Sequence, residues 1–257
     1  MAPNRRGGKG KGRSARVSGR NLTTRVKTAK GRKSSSTRWL QRQLNDPYVA
    51  EAQRLGYRSR AAFKLLELDD RFTFLAPGKR VVDLGAAPGG WTQVAVERVN
   101  ALGTAKGRTG RVVGIDIQEM EAIAGANLII HDFMDDAAPG LLEAALDGPA
   151  DIVLSDMAAS ATGHSGTDHL RIMGLLETAL DFAFTVLAEN GVFVGKVLQG
   201  GTERELLDKL KRRFRTVKHA KPPASRADSA ETYVIALGFR GAGEDNDDKN
   251  DICDRKE

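Results

Sequence analysis

Asp83-Leu-Gly-Ala-Ala-Pro-Gly-Gly-Trp91 joins a strand pattern to a helical one through a glycine-rich turn, and this junction decides how the remaining sequence is read. Before it, Arg80-Val-Val-Asp-Leu84 is short, apolar and β-branched; after it, Trp91–Val99 has helical periodicity. In open α/β sheets ligands bind outside the carboxyl ends of the strands, which is where such a turn lies. Gly85 and Gly89 allow close approach of backbone to a ligand. Their spacing is not that of the dinucleotide fingerprint. Pro88 also removes an amide donor from a loop that would otherwise cradle phosphate. The loop therefore suits an uncharged or zwitterionic ligand better than a pyrophosphate.

Working outward, the same alternation repeats. Arg111–Asp116, Asn127–Ile130, Asp151–Ser155, Gly191–Val197, Thr216–His219 and Glu231–Leu237 read as further strands. Gly140–Leu146, His169–Leu187 and Glu203–Phe214 read as helices between them. In the longest, Leu170, Met173, Leu176, Leu180, Phe184 and Leu187 fall on one face. The pattern predicts an α/β fold of Rossmann-like type, a mostly parallel seven-stranded sheet with helices on both faces. Pro222 and Pro223 lie in a short helix-free link before the last strand, which predicts a hairpin and an antiparallel seventh strand. Residues 37–75 are expected to form a helical cap, within a body spanning 37–240.

The 257 residues carry a formal net charge of +7, unevenly placed. Residues 1–36 hold 12 Lys and Arg and no acid, whereas residues 241–257 hold seven acids and three bases. Between them the body is near neutral, with 25 bases and 26 acids. A disordered basic arm before a neutral body points to a polyanionic partner, and the acidic stretch 241–257 reads as a tail. The single cysteine, Cys253, excludes a disulfide framework and a thiolate metal site. His131, His164, His169 and His219 show no metal-ligand spacing, so no metal is expected. No apolar run is long enough to span a bilayer, so no membrane partner is expected. The arm lacks an apolar helical face for a mitochondrial leader, which leaves the cytoplasm as the expected location.

Asp116 ends one predicted strand, and Asp132 and Asp156 come directly after two others, on the edge where the glycine loop lies. A carboxylate after the second strand can accept hydrogen bonds from both ribose hydroxyls. Singly, such an aspartate is more often a turn or helix cap. Three together are what a nucleoside pocket would produce. Lys196 contradicts its surroundings, a lysine inside the strand Val192-Phe-Val-Gly-Lys-Val-Leu198. It must reach the sheet edge or be held by carboxylates. Asp156 and Glu231 lie at the ends of other predicted strands, and Lys64 falls on an apolar helical pattern. By residue chemistry alone a structural and a catalytic Lys196 are equally expected.

These motifs, taken in order, resemble the FtsJ-like (RlmE-type) ribose 2′-O-methyltransferases of large-subunit ribosomal RNA. The resemblance covers residues 36 to about 240 and rests on Ser36–Gln41, Tyr57–Leu65, Val82–Trp91, His131–Phe133, Leu154–Ala158, Gly195–Val197 and Arg226–Tyr233. It implies a catalytic tetrad of Lys64, Asp156, Lys196 and Glu231. It also implies contacts to S-adenosyl-L-methionine from Asp83, Gly85, Pro88, Gly89, Trp91, Asp116, Asp132 and Asp156. The implied reaction is methylation of a uridine ribose in 23S ribosomal RNA, late in large-subunit assembly, by a monomer. Met157–Gly163 departs from the family's usual loop, and the connection 101–110 is longer than expected. Burial and the neighbouring Lys64 would favour a neutral Lys196, while Asp156 and Glu231 would favour its ammonium form. General-base and merely orienting roles both follow. The rival functions are an RNA-binding assembly factor without essential catalysis and a cap-type or other RNA 2′-O-methyltransferase. The RNA is expected to be held by the basic arm together with Arg58 and Arg60.

Overall fold

The computed structural model describes residues 34–159, 164–198 and 204–241. The acidic stretch and nearly all of the basic arm lie outside these residues. The first helix already starts at Ser34, ahead of the expected boundary at residue 36. Three helices form the cap: α1 (Ser34–Leu44), α2 (Pro47–Leu55) and α3 (Ala62–Phe72). They are followed by β1 (Arg80–Leu84), α4 (Gly90–Arg98), β2 (Arg111–Asp116), β3 (Ala126–Ile130), α5 (Ala138–Leu146) and β4 (Ala150–Ser155). The chain continues through α6 (Ser165–Val186), β5 (Leu187–Leu198), α7 (Arg204–Arg213), β6 (Phe214–Ala220) and β7 (Glu231–Phe239).

The strands form one sheet of seven in the order β3-β2-β1-β4-β5-β7-β6. The first five are parallel, and β7 runs antiparallel to both β5 and β6. The Pro222-Pro223 link thus makes the expected hairpin. Strand order reverses between β1 and β4, the place where an open α/β sheet leaves a crevice. One sheet face packs under α5, α6 and α7 through Leu142, Leu180 and Leu210; the other packs under α3 and α4 through Leu65, Val94 and Trp91.

Local chemistry sets the element ends. Asp46 caps α2 by accepting the Tyr48 amide at 3.1 Å, Pro47 opens the helix, and Gly56 closes it at φ 78°. Strand β5 starts at Leu187 rather than at Gly191, so Leu187 belongs to the sheet instead of ending α6. Leu170 departs from the expected apolar face, being 64% exposed, whereas Met173, Leu176 and Leu180 are buried. Burial along α6 begins one turn further on, at Met173, and continues through Leu176, Ala179, Leu180 and Ala183 to Val186.

Candidate active site

On the face beneath α3, each central strand carries an apolar row that ends in a polar residue at one edge of the sheet. In β4 and just beyond it the row is Ile152, Leu154, Asp156; in β5 it is Val192, Val194, Lys196. Strand β7 runs the other way, so its row begins with Glu231 and Tyr233 before Ile235. Alternation of side chains on a strand forces this arrangement. Tyr233 stands directly opposite Lys196 across the β5–β7 pair. Helix α3 brings Lys64 down onto the same point from above, beside the buried Leu65 and Leu68.

The four residues expected to form a tetrad meet, together with Tyr233, which the sequence reading did not include. Lys196 Nζ donates to the Asp156 main-chain oxygen at 2.8 Å, lies 2.9 Å from Asp156 Oδ1, and is 3.8 Å from Glu231 Oε1. Lys64 Nζ donates to Glu231 Oε2 at 3.1 Å and to the Tyr233 hydroxyl at 3.0 Å. Tyr233 in turn donates to Asp156 Oδ1 at 2.7 Å. Lys64 and Lys196 are buried, and Glu231 is the most open member. Two ammonium groups thus face two carboxylates, so the desolvated charges are compensated within the cluster. Burial would raise the Asp156 carboxyl, but Lys196 and Lys64 outweigh it and hold the group below its ordinary value. The same contest leaves Glu231 lowered. Burial, reinforced by the Asp156 carboxylate, pushes the Tyr233 phenol well above its usual range and keeps it a hydrogen-bond donor.

Asp156 also lines a cleft of about 290 Å³ at the carboxyl ends of β1 to β4, alongside Gly85, Asp116 and Asp132. Asp116 accepts the Ala87 amide at 2.9 Å and the Gln118 amide at 2.8 Å, tying the glycine loop to the end of β2. Asp132 accepts the Met134 amide at 2.9 Å. Gly85 takes φ 76°, and a Cβ there would fall 2.7 Å from Met157 Cγ, so only glycine leaves this wall of the cleft in place. Ile117 and Met134 line the same cleft and stay 66% and 52% exposed, apolar surface available to a flat ring. Among the described residues, three carboxylates and no Lys or Arg line it. That donor set fits a nucleoside bearing a positive charge and does not fit a phosphate.

The other expected cofactor contacts lie behind this cleft. Asp83 is fully buried, accepts the Thr92 hydroxyl at 2.6 Å, and is raised to about 7 by burial, with Asp156 and Asp116 adding to the effect. Trp91 is buried, its indole N–H donating to the Ala61 carbonyl at 2.9 Å and its ring 5.5 Å from that of Tyr233. Pro88, after a cis Ala87–Pro88 bond, and Gly89, at φ 109°, form the turn into α4. The structure thus brings Gly85, Asp116, Asp132 and Asp156 together at the cleft and sets Asp83, Pro88, Gly89 and Trp91 around its supporting loop. A larger hollow of about 540 Å³ lies along α4, away from all three strand-end aspartates.

Arg58 and Arg60, expected to face RNA, are half-buried and held by contacts within the chain. Arg58 donates to the carbonyls of Glu121 and Ala122 at 2.7 and 2.9 Å. Arg60 Nε lies 2.9 Å from Asp46 Oδ2, and its Nη2 donates to the Ala224 carbonyl. Arg226 pairs with the same Asp46 oxygen at 3.2 Å, and Glu67 of α3 accepts the Ala224 amide at 2.6 Å. These contacts clasp the β6–β7 link to the cap, just ahead of Glu231. Among the described residues no helix is long and apolar enough to cross a membrane, and no group of His, Cys, Asp or Glu could hold a metal ion.

Comparison with known proteins identifies the relatives of this chain. Residues 57–239 match the FtsJ-like methyltransferase family. A protein of Paramagnetospirillum magneticum named ribosomal RNA large subunit methyltransferase E is 67% identical over 225 residues, covering 88% of this chain and 91% of that protein. Its namesake in Rhodospirillum rubrum is 64% identical over 234 residues, covering 90% and 88%. A crystal structure of a ribosomal RNA methyltransferase from Plasmodium falciparum superposes with a TM-score of 0.62 at 30% identity, covering 72% of this chain and all of that one. By the extent of the matched region and the closeness of these relatives, the chain belongs to the FtsJ-like methyltransferase family.

Proposed function

We propose that this chain methylates a ribose 2′-hydroxyl, that of a uridine, in the 23S RNA of the large ribosomal subunit, using S-adenosyl-L-methionine, late in subunit assembly. The observation that carries the reading is Asp156, which lines the carboxylate-rich cleft with one side and holds Lys196 with the other. One residue therefore joins a site suited to a cationic nucleoside to a buried lysine suited to a hydroxyl. The large-subunit substrate follows from the names of the relatives, and the uridine and the timing follow from the family resemblance.

S-adenosyl-L-methionine would be held in the cleft by Asp116, Asp132 and the glycine loop, and when bound would supply a sulfonium-activated methyl group for the 2′-oxygen. Asp116 would accept from the ribose diol of that cofactor, and Asp132, with Ile117 and Met134 beside it, would receive the adenine. Gly85, Pro88, Gly89 and Trp91 shape the loop over the rest of the cofactor, and Asp83 anchors that loop from beneath through Thr92. The target ribose enters beside Glu231, the most open member of the cluster. Lys196, once its ammonium proton has passed to solvent, orients the hydroxyl of that ribose and accepts its proton as the methyl bond forms, while Lys64 and Tyr233 keep Asp156 and Glu231 in position. The body acts as a monomer, and the basic arm of residues 1–36 adds sequence-independent grip on RNA.

Mapping 2′-O-methylation across ribosomal RNA from cells with and without the protein tests the reading. One uridine of the large-subunit RNA should lose its methyl group and regain it with the wild-type gene but not with Lys196→Ala. An unchanged map would sink the proposal. For the proton, Lys196→Arg should abolish the rising limb of the pH–rate profile; a variant that keeps this limb leaves Lys196 only the orienting role.

A further inference from the structure

A surface for the RNA backbone has to be found away from the arginines that precede α3, since Arg58 and Arg60 are committed to internal contacts. The cofactor cleft, lined by carboxylates, would repel phosphates. Residues 204–221, comprising α7, β6 and Lys221, carry eight of the body's 25 bases and only two of its acids. The rest of the body, residues 37–240 without this segment, holds 17 bases against 24 acids. Positive charge in the folded body is therefore concentrated along one edge of the sheet, where β6 is the terminal strand.

Several cations of this segment are already engaged. Lys211 lies 3.9 Å from Asp208, the Arg213 guanidinium covers the rings of Phe184 and Phe239, and Lys221 donates to the carbonyls of Ala227 and Ser229. Lys209, Arg212, Arg215 and Lys218 differ: all four are exposed, and none has an ion pair or hydrogen bond among the described residues. Cations on a terminal strand commonly block edge-to-edge pairing. That role would cover Arg215 and Lys218 but not Lys209 and Arg212, which lie on α7.

The position of the segment supplies the rest. Ala220, the last residue of β6, pairs with Tyr233, and Tyr233 pairs with Lys196. Lys218 pairs with Ile235 and Ile235 with Val194, so Lys218 stands two strand spacings from β5, roughly 10 Å across the sheet, and two residues short of Lys196 along it. The cofactor cleft lies toward β1 to β3, on the other side of β5. We propose that Lys209, Arg212, Arg215 and Lys218 form the track on which the phosphate backbone of the RNA substrate lies while its target ribose reaches Lys196. This rests on the reading of the chain as an RNA methyltransferase.

The test is the full-length variant Lys209→Gln/Arg212→Gln/Arg215→Gln/Lys218→Gln. A control, Lys106→Gln/Arg108→Gln, removes exposed cations from the loop before β2. Binding of unmethylated large-subunit RNA is measured across a salt series, with KM and kcat for methyl transfer, cofactor affinity and thermal unfolding in parallel. If each cation meets one phosphate, the slope of log affinity against log salt should flatten by about 2 to 3, single strands contributing about 0.7 per contact. RNA affinity and KM should weaken at least about tenfold, with kcat at saturating RNA and cofactor affinity unchanged and the control behaving as wild type. An unaltered slope and KM overturn the track. Weakened binding to the ribosomal particle with unaltered binding to naked RNA overturns it too, and assigns the edge to a ribosomal protein. Should the wild-type protein bind cofactor yet methylate no ribosomal RNA, the proposed function fails instead, and the salt slopes still decide whether this edge holds RNA.

Discussion

Replacing Tyr233 with Phe isolates one hydroxyl at the centre of the buried cluster. That hydroxyl donates to Asp156 Oδ1 at 2.7 Å and accepts from Lys64 Nζ at 3.0 Å, in a residue with no exposed surface. Hydrogen bonds to charged groups are worth about 1.5 to 3 kcal/mol. The lower part of that range applies, because neither charge is orphaned: Asp156 Oδ1 keeps Lys196 at 2.9 Å, and Lys64 keeps Glu231 at 3.1 Å. A loss of about 2 kcal/mol should lower Tm by roughly 4 to 8 °C for a body of this size. The acid side is diagnostic. Burial works to raise Asp156, but Lys196, Lys64 and the Tyr233 hydroxyl bring it below its ordinary value. A lowered carboxylate stabilises the fold above its unfolded-state value, and that stability is lost as pH falls through the folded-state value. Without the hydroxyl the folded-state value rises, so acid unfolding should begin at higher pH than in the parent. Methyl transfer should fall about tenfold to a hundredfold, since Asp156 positions Lys196, with cofactor affinity little altered. Thermal melts from pH 4 to 8 and a labelled-methyl assay read all of this. A variant within about 1 °C of the parent at every pH, turning over at the parental rate, would falsify the place given to Tyr233.

Asp83→Asn probes the glycine loop from beneath. Burial holds the Asp83 carboxyl at about 7, against an ordinary 3.8, so the unfolded chain releases this proton at lower pH than the folded one. Parental stability should therefore decline between about pH 4 and 7 at this group, and the asparagine variant should lose that slope in denaturant unfolding; equal slopes would refute it. Asp46→Asn loosens the clasp on Arg60 and Arg226, which should lower kcat at least severalfold while leaving cofactor affinity intact; a variant weakened only in cofactor binding would contradict it. Deleting residues 1–33 should weaken RNA binding and flatten its salt dependence without touching α1, and an unchanged salt slope would refute a role for the arm.

What was legible in the sequence is whatever broke a local rule. A lysine amid Val192, Phe193, Val194 and Val197 contradicts an interior strand, and that contradiction marks Lys196 in the sequence alone. The strand-end aspartates were legible because the alternation of strand and helix places all of them on one edge. Tyr233 stayed hidden for the opposite reason: an aromatic residue in an apolar strand satisfies the pattern fully. Only its position two residues after Glu231, hence on the same face, pointed to the cluster. The clasp on Arg60 and Arg226 stayed hidden because a basic stretch before a helix reads as surface, while the partners of these residues lie far along the chain. Arg226 meets Asp46 across 180 residues, and Arg60 meets Ala224 across 164. No local window contains such a pair. The same limit concealed the basic edge, since its meaning depends on β6 being the terminal strand and on Ala220 facing Tyr233, facts of sheet order and not of composition. Pattern violations thus report the chemistry of a site, whereas the surfaces that steer a substrate to it are built from residues that violate nothing and become visible only when the strands are put in order.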